Sequence, residues 1–294
     1  MSSEQPSNYT TAIIAGVALL LSFALLYRNV LAKLVFDWSN DDNYSHGFLI
    51  VPVALYFAWE RREKVLAATR QPSALGLIVV LGSIATMIAG ILGAELFLTR
   101  ISIIGLVAGT VLFVLGWQHL KVLGFPIAFL ILMIPIPAII FNQIAFPLQL
   151  LASQFGETTL NICSIPVLRE GNVIVLANTT LEVAEACSGI RSLVSLLTLG
   201  IVYGYFTDPR MWMRTTIAVL TVPIAIITNG ARVAGTGIAA HYYGPEAAEG
   251  FFHEFSGWLV FIAAFAILFL VMRVLLLLAP NRAAQLEPTI ANVA

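Results

Sequence analysis

Eight apolar stretches, separated by short polar ones, set the limits on what this chain folds into. A helix that crosses a bilayer needs about 20 mostly apolar residues. The stretches that meet or approach this length are 11–30, 47–59, 74–94, 101–117, 125–141, 190–206, 215–227 with its flanks, and 257–278. The segment 47–59 is short; it spans only if its helix starts within 43–46 or the bilayer thins locally. Of the 294 residues 59% are hydrophobic and 11% charged, against about 25% charged in a soluble domain. With mean hydropathy +0.92, a water-soluble globule and a disordered chain are excluded. Fifteen basic against sixteen acidic residues leave no net field for nucleic acid. The expected fold is an all-α polytopic membrane protein of about eight transmembrane helices, a single integral membrane domain over 1–280 with a flexible cytoplasmic tail over 281–294.

Basic residues orient such a chain, because loops rich in Lys and Arg stay in the cytoplasm. Arg61, Arg62, Lys64 and Arg70 crowd one loop. Alternation from there puts Lys121, Arg210, Arg214, Arg273 and Arg282 on the same side, with both termini inside. Residues 1–11 hold no Lys or Arg and no A-x-A site follows, so the first stretch is expected to be retained and spanning rather than cleaved as a signal peptide. The outer face then receives 33–46, 142–186 and 230–256. Within the second of these, 143–155 is amphipathic and is expected to lie along or dip into the bilayer. The run IVLANTTLEV at 174–183 predicts a small extracytoplasmic hairpin before the sixth helix. Pro126, Pro135, Pro137, Pro147 and Pro223 are expected to be ordinary kinks satisfied by neighbouring helices; the alternative is a broken-helix transport site.

Two cysteines, Cys163 and Cys187, are too few for a disulfide framework or a four-cysteine zinc site, and four scattered histidines form no HExxH. No metal and no cofactor is expected. Cys187 lies in Glu185-Ala-Cys-Ser188-Gly-Ile-Arg191, where the outer segment enters the sixth span. A helix N-terminus and a nearby Arg both favour a thiolate, and Arg191 is four residues on. Glu182 and Glu185 act in the opposite sense. The plainer alternative is a small residue packed at a helix end. Arg232, in Thr228-Asn229-Gly-Ala-Arg232, borders the end of the seventh span. An ionisable residue there is costly and marks a functional site, unless it snorkels to headgroups. His253 precedes the last span and can move protons near neutral pH. It competes with His46 and His241 on the same side, and a lone interfacial His is otherwise a structural hydrogen-bonder.

Helix counting brings Cys187, Arg191, Arg232 and His253 to one outer level. A thiol, a guanidinium and an imidazole at one depth are the parts of cysteine acyl transfer. Ala186-Cys187-Ser188-Gly-Ile-Arg191-Ser-Leu resembles the nucleophile motif of the exosortase/archaeosortase family of membrane transpeptidases. Asn229-x-x-Arg232 and Gly250-Phe-x-His253 resemble its arginine and histidine motifs. Tyr44-Ser-His-Gly47, Leu49-x-Val-Pro52, Pro135-Ile-Pro137 and Ile165-Pro-Val-x-Arg169-x-Gly171 are supporting matches, over roughly 38–278.

The resemblance implies a cysteine endopeptidase or transpeptidase in the inner membrane, with its site facing the periplasm. Its partners would be membrane-anchored proteins ending in a Pro-Glu-Pro-type (PEP-CTERM) motif, a helix and a basic tail, and exopolysaccharide-assembly proteins. Cys187 would be the nucleophile, His253 the acid/base, and Arg232 the group that stabilises the oxyanion or orients the substrate. Arg191, Asn229 and Ser188 would support them. Cys163 is expected to be structural and unpaired. The competing classes are a membrane transporter and a non-catalytic scaffold for exopolysaccharide export.

Overall fold

The computed structural model describes residues 5–183, 189–244, 246 and 250–279. Cys187, Ser188, Glu185 and the expected tail lie outside them, as does the side chain of His253. The chain forms two compact units, Met1–Pro137 and Ala138–Ala294.

In the first unit, α1 (Gln5–Leu26) and α2 (Arg28–Asn40) meet at a bend of 66°. Tyr27 sits at the bend, fully buried, and its hydroxyl shares a 2.9 Å hydrogen bond with Ser102 Oγ. Then follow α3 (Gly47–Glu60), α4 (Arg62–Ala67), α5 (Ala74–Leu92), α6 (Leu96–Val114) and α7 (Trp117–Phe129). The Glu95 carboxylate caps α6 by accepting from the Phe97 amide at 3.0 Å, one of the orphan donors of a helix start.

The expected span 125–141 is not one helix. After α7 comes a turn of 3-10 helix, Leu130–Met133, then an extended stretch to Pro137. Pro135 and Pro137 cause the break: each lacks an N–H and drives the residue before it out of the α region. The carbonyls freed here are met by side chains from 38–46. Trp38 Nε1 donates to Met133 O at 2.9 Å, the Tyr44 hydroxyl to Ile136 O at 3.4 Å, and His46 Nε2 to Leu132 O at 3.2 Å. Gly47 belongs to the same arrangement, because a Cβ there would collide with the Trp38 indole. Burial of the His46 ring pushes its pKa down, against the hydrogen bonds to the Leu132 and Asn43 carbonyls. By contrast α3 passes through Pro52 and α7 through Pro126 without a break.

The second unit opens with α8 (Ala138–Ile162), followed by three antiparallel strands, β1 (Val167–Glu170), β2 (Val173–Leu176) and β3 (Thr180–Glu182), in the order β1-β2-β3. The predicted hairpin is thus β2–β3, with Ile174 opposite Leu181, and β1 extends it. Inward residues Ile174, Leu176 and Val183 pack with Leu160 of α8. Helices α9 (Ile190–Thr207), α10 (Met211–Tyr243) and α11 (Gly250–Leu278) complete the unit. Segment 143–155, expected along the membrane surface, lies inside α8, a helix of 25 residues that is long and apolar enough to cross. Residues 230–243, expected in an outer segment, are likewise the end of α10, whose 33 residues run unbroken through Pro223.

Leu196 of α9, Met213 and Ile217 of α10, and Leu268 and Met272 of α11 form one apolar cluster. The α9–α10 turn is tied to the end of α11. Arg210 donates to both oxygens of Asp208 and, through Nη1, to Ala279 O at 2.7 Å. The Arg210 hydrogen bonds hold the Asp208 carboxyl below its usual range. Among the described residues, six helices are long and apolar enough to span, or seven with the bent α1–α2 pair; α3 and the 117–133 segment are shorter.

Candidate active site

The site is assembled on the middle of α10. Gly189 is the N-cap of α9 and has φ +81°, the left-handed region, which a Cβ penalises. It also faces a neighbour: a Cβ on Gly189 would lie 2.8 Å from Asn229 Cγ. Asn229 is buried, so the α9 entry rests directly on its carboxamide.

One turn further along α10, Arg232 Nε donates to Ser256 Oγ of α11 at 3.2 Å, and a Cβ on Gly257 would come within 3.2 Å of Arg232 Nη2. Arg232 therefore reaches sideways onto α11 and is half-buried there. It lies within α10, not in a loop after a span. Glycines bring α8 against the same stretch: Gly156 meets Val233, and Gly230 meets Phe155.

Three chain segments thus converge. Gly189 stands two residues after Cys187, Asn229 and Arg232 share one face of α10, and Ser256 stands three residues after His253. The backbone register of α11 puts position 253 one turn before Ser256 and Gly257. Arg191 is half-buried in the first turn of α9. The helical i,i+4 relation expected between 187 and 191 is interrupted at Gly189, because a left-handed residue cannot continue an α-helix.

The competing histidines have partners of their own. His46 is in the first unit and spends its Nε2 on Leu132 O. His241 is nine residues beyond Arg232 on α10, about 13 Å along the axis, and stacks edge-on against Tyr242 at 4.9 Å. Cys163 is exposed just past the end of α8.

Sequence reasoning missed Ser256 and Gly257. The signal was present, since they fall at i+3 and i+4 from His253, but only the contact with Arg232 gives them meaning. No group of three or more His, Cys, Asp or Glu side chains among the described residues is placed to hold a metal ion.

Helix lengths set how far the site stands from the α9–α10 turn. From Met211 to Arg232 is 21 residues, about 31 Å at 1.5 Å per residue, and from Ser256 to Leu278 about 33 Å. From Ile190 to Thr207 is about 26 Å. All are close to the ~30 Å hydrocarbon thickness, so the site lies one membrane thickness from the Asp208–Arg214 turn.

A multi-pass helical membrane protein with a polar site at one end of a three-helix group is the class these features define. Residues 38–270 match the family profile of the transmembrane exosortases (Exosortase_EpsH). The match covers most of the chain and includes Cys187, Arg232 and His253; the chain belongs to that family. No curated protein and no solved structure matches it.

Proposed function

We propose that the protein is a membrane cysteine transpeptidase that cleaves C-terminal PEP-CTERM-type sorting signals. Family membership supports a membrane transpeptidase-like role. The observation that carries the reading is α10 holding both neighbouring segments, through Gly189 against Asn229 and Arg232 bonded to Ser256. These contacts tie the residues flanking Cys187 and His253 to one stretch of helix.

In the proposed cycle His253 takes the Cys187 proton and the thiolate attacks the scissile carbonyl carbon. A sulfur–carbon bond forms, the carbon–nitrogen bond breaks, and the released amine leaves with the proton from His253. The product keeps a thioester on Cys187 until an amine, a glycan- or lipid-linked acceptor, or water attacks it. Arg232 stabilises the oxyanion or orients the substrate, and its bond to Ser256 fixes its direction. Asn229, Ser188 and Arg191 support the nucleophile segment.

The reading places the site at the outer face of the inner membrane, with both termini inside. Arg210, Arg214 and Arg273 gather at the opposite end of the three helices, which by the positive-inside rule is the cytoplasmic end. Substrates are membrane-anchored proteins with the motif, helix and basic tail, made alongside exopolysaccharide-assembly proteins.

The test is processing of a co-expressed tagged substrate carrying such a signal. Wild type is expected to shorten it and Cys187→Ala to leave it full length. Equal processing by both forms refutes the cysteine mechanism and favours a scaffold or transporter.

A further inference from the structure

The sheet of the second unit ends in an open edge. Its strands run in the order β1-β2-β3, so β3 (Thr180–Glu182) is paired on one side only among the described residues. The Leu176 N–H donates to Thr179 O at 2.8 Å and the Val183 N–H to Asn172 O at 2.9 Å. Bonded and non-bonded pairs alternate in an antiparallel ladder, so the backbone groups of Thr180 and Glu182 point away from β2. Both residues are exposed. An edge of this kind is a template for an added strand.

Where the edge leads is set by α10. Asn178, in the β2–β3 turn, donates to Ala240 O at 3.1 Å, eleven residues and about 16 Å along α10 from Asn229. Gly189 lies against Asn229. From the turn, β3 thus heads for the level of Asn229, and Cys187 follows Glu182 by five residues. A membrane-anchored polypeptide whose C-terminal part enters the bilayer runs the same way, so it pairs with β3 in parallel. The solvent face of the sheet supplies selectivity. Val173 is opposite both Glu170 and Glu182, which makes one row ending in two exposed carboxylates. Val175 is opposite Leu168 and Thr180, which makes a second, uncharged row. Arg169, the one basic residue of the three strands, is on the other face with Ile174. It is spent there on Glu157 at 2.7 Å and on Gly171 O. Neither Glu170 nor Glu182 has an ion pair among the described residues.

We propose that β3 receives the extended segment of the substrate before the scissile bond as a fourth, parallel strand, and that Glu182 selects a Lys or Arg in it. Residues two apart in a strand share a face, so the row of Thr180 takes a β-branched or apolar residue two positions earlier. The cation falls about five residues before the scissile bond, because Glu182 stands five before Cys187. The inference rests on the proposed cysteine reaction and adds how its substrate is held.

The test uses full-length protein co-expressed with tagged substrates that carry the sorting signal. In the Cys187→Ala form, a photoreactive residue at Thr180 should capture the substrate, and one at Leu168, on the far edge of the same face, should not. A single Lys is then moved through each position before the motif in an otherwise uncharged segment. Wild type should process one of these substrates best, about fivefold faster than the segment without Lys, the effect of one cross-strand charge pair (about 1 kcal/mol at 1.4 kcal/mol per tenfold). Glu182→Lys should move the preference to Glu at that same position. Thr180→Pro removes an outward N–H and no ladder bond, and should lower processing; if it fails to fold, the charge reversal decides. Capture of substrate from Leu168 instead of Thr180, capture of a second copy of the chain from Thr180, or a rate indifferent to the position of Lys would each overturn the proposal. Processing by wild type without capture at Thr180 refutes the docking alone. Capture at Thr180 without processing by wild type supports the docking and refutes the cysteine reading.

Discussion

Gly189→Ala isolates the contact on which the proposed site depends. Two costs follow from the geometry. At φ +81° a side chain with Cβ is disfavoured by about 1–2 kcal/mol. The new methyl would also lie 2.8 Å from Asn229 Cγ and 3.0 Å from its Cβ, and overpacking a buried contact costs about 1–3 kcal/mol. The sum is about 2–5 kcal/mol, read as loss of stability in denaturant titration of the detergent-solubilised protein. The two parts separate in a double-mutant cycle. Asn229→Ala removes the carboxamide, so Gly189→Ala should cost at least ~1 kcal/mol less in that background, leaving the backbone penalty and the residual Cβ contact. Processing should fall in the single variant, because the residue displaced lies two positions from Cys187. A Gly189→Ala cost below ~0.5 kcal/mol, or the same cost in both backgrounds, would refute the claim that α9 enters against Asn229.

Three further outcomes are expected. Ser256→Ala should lower processing through Arg232, so its effect should largely vanish in an Arg232→Gln background; additive losses measured as kcat/KM would show that Ser256 acts separately. The depressed His46 pKa means that the folded state disfavours the imidazolium. Stability is then whole above the unfolded pKa near 6.5 and falls with acidification below it; denaturant titrations from pH 8 to pH 5 should show a slope that His46→Gln removes. A cysteine placed at Gly171, in a chain with Cys163 and Cys187 replaced by Ala, should react with an impermeant thiol reagent added outside intact cells, whereas labelling only after lysis would reverse the proposed orientation of the second unit.

What the sequence made legible follows the strength of local signals. Long apolar runs became α5, α6, α9 and α11 almost where expected, because length and hydropathy alone specify them. The β-branched run around Asn178 became β2–β3 for the same reason. Proline was harder to read. Pro52, Pro126, Pro147 and Pro223 are all accommodated within helices, and only the Pro135-Ile-Pro137 pair breaks one. The decisive difference is spacing: two prolines two apart remove two donors within one turn, and the carbonyls exposed by the break are met by Trp38, Tyr44 and His46 from nearly a hundred residues away. No local pattern shows that pairing. The length of α10 was obscured because Asn229, Gly230 and Arg232 read as the end of a span. Their polarity is real, but it is met by Gly189 and Ser256 on neighbouring helices.

The length of α10 also resolves why an arginine is tolerated at that position. A guanidinium at the bilayer centre costs about 2.5 kcal/mol or more, and Ser256 Oγ accepts from the Arg232 Nε. With the start of α10 at the proposed cytoplasmic interface, Arg232, about 31 Å along the helix, reaches the opposite one, where water and headgroups lower that cost. The last eleven residues of α10, from Arg232's neighbour Val233 to Tyr243, then continue beyond the hydrocarbon and support the sheet through Val233 and Ala240. A helix that ended at the interface would leave β2 and its neighbours without that packing surface. On the proposed mechanism, a site at that interface would be open to both a membrane-anchored substrate and a water-borne acceptor, which transfer from a thioester would require and a midplane site would deny.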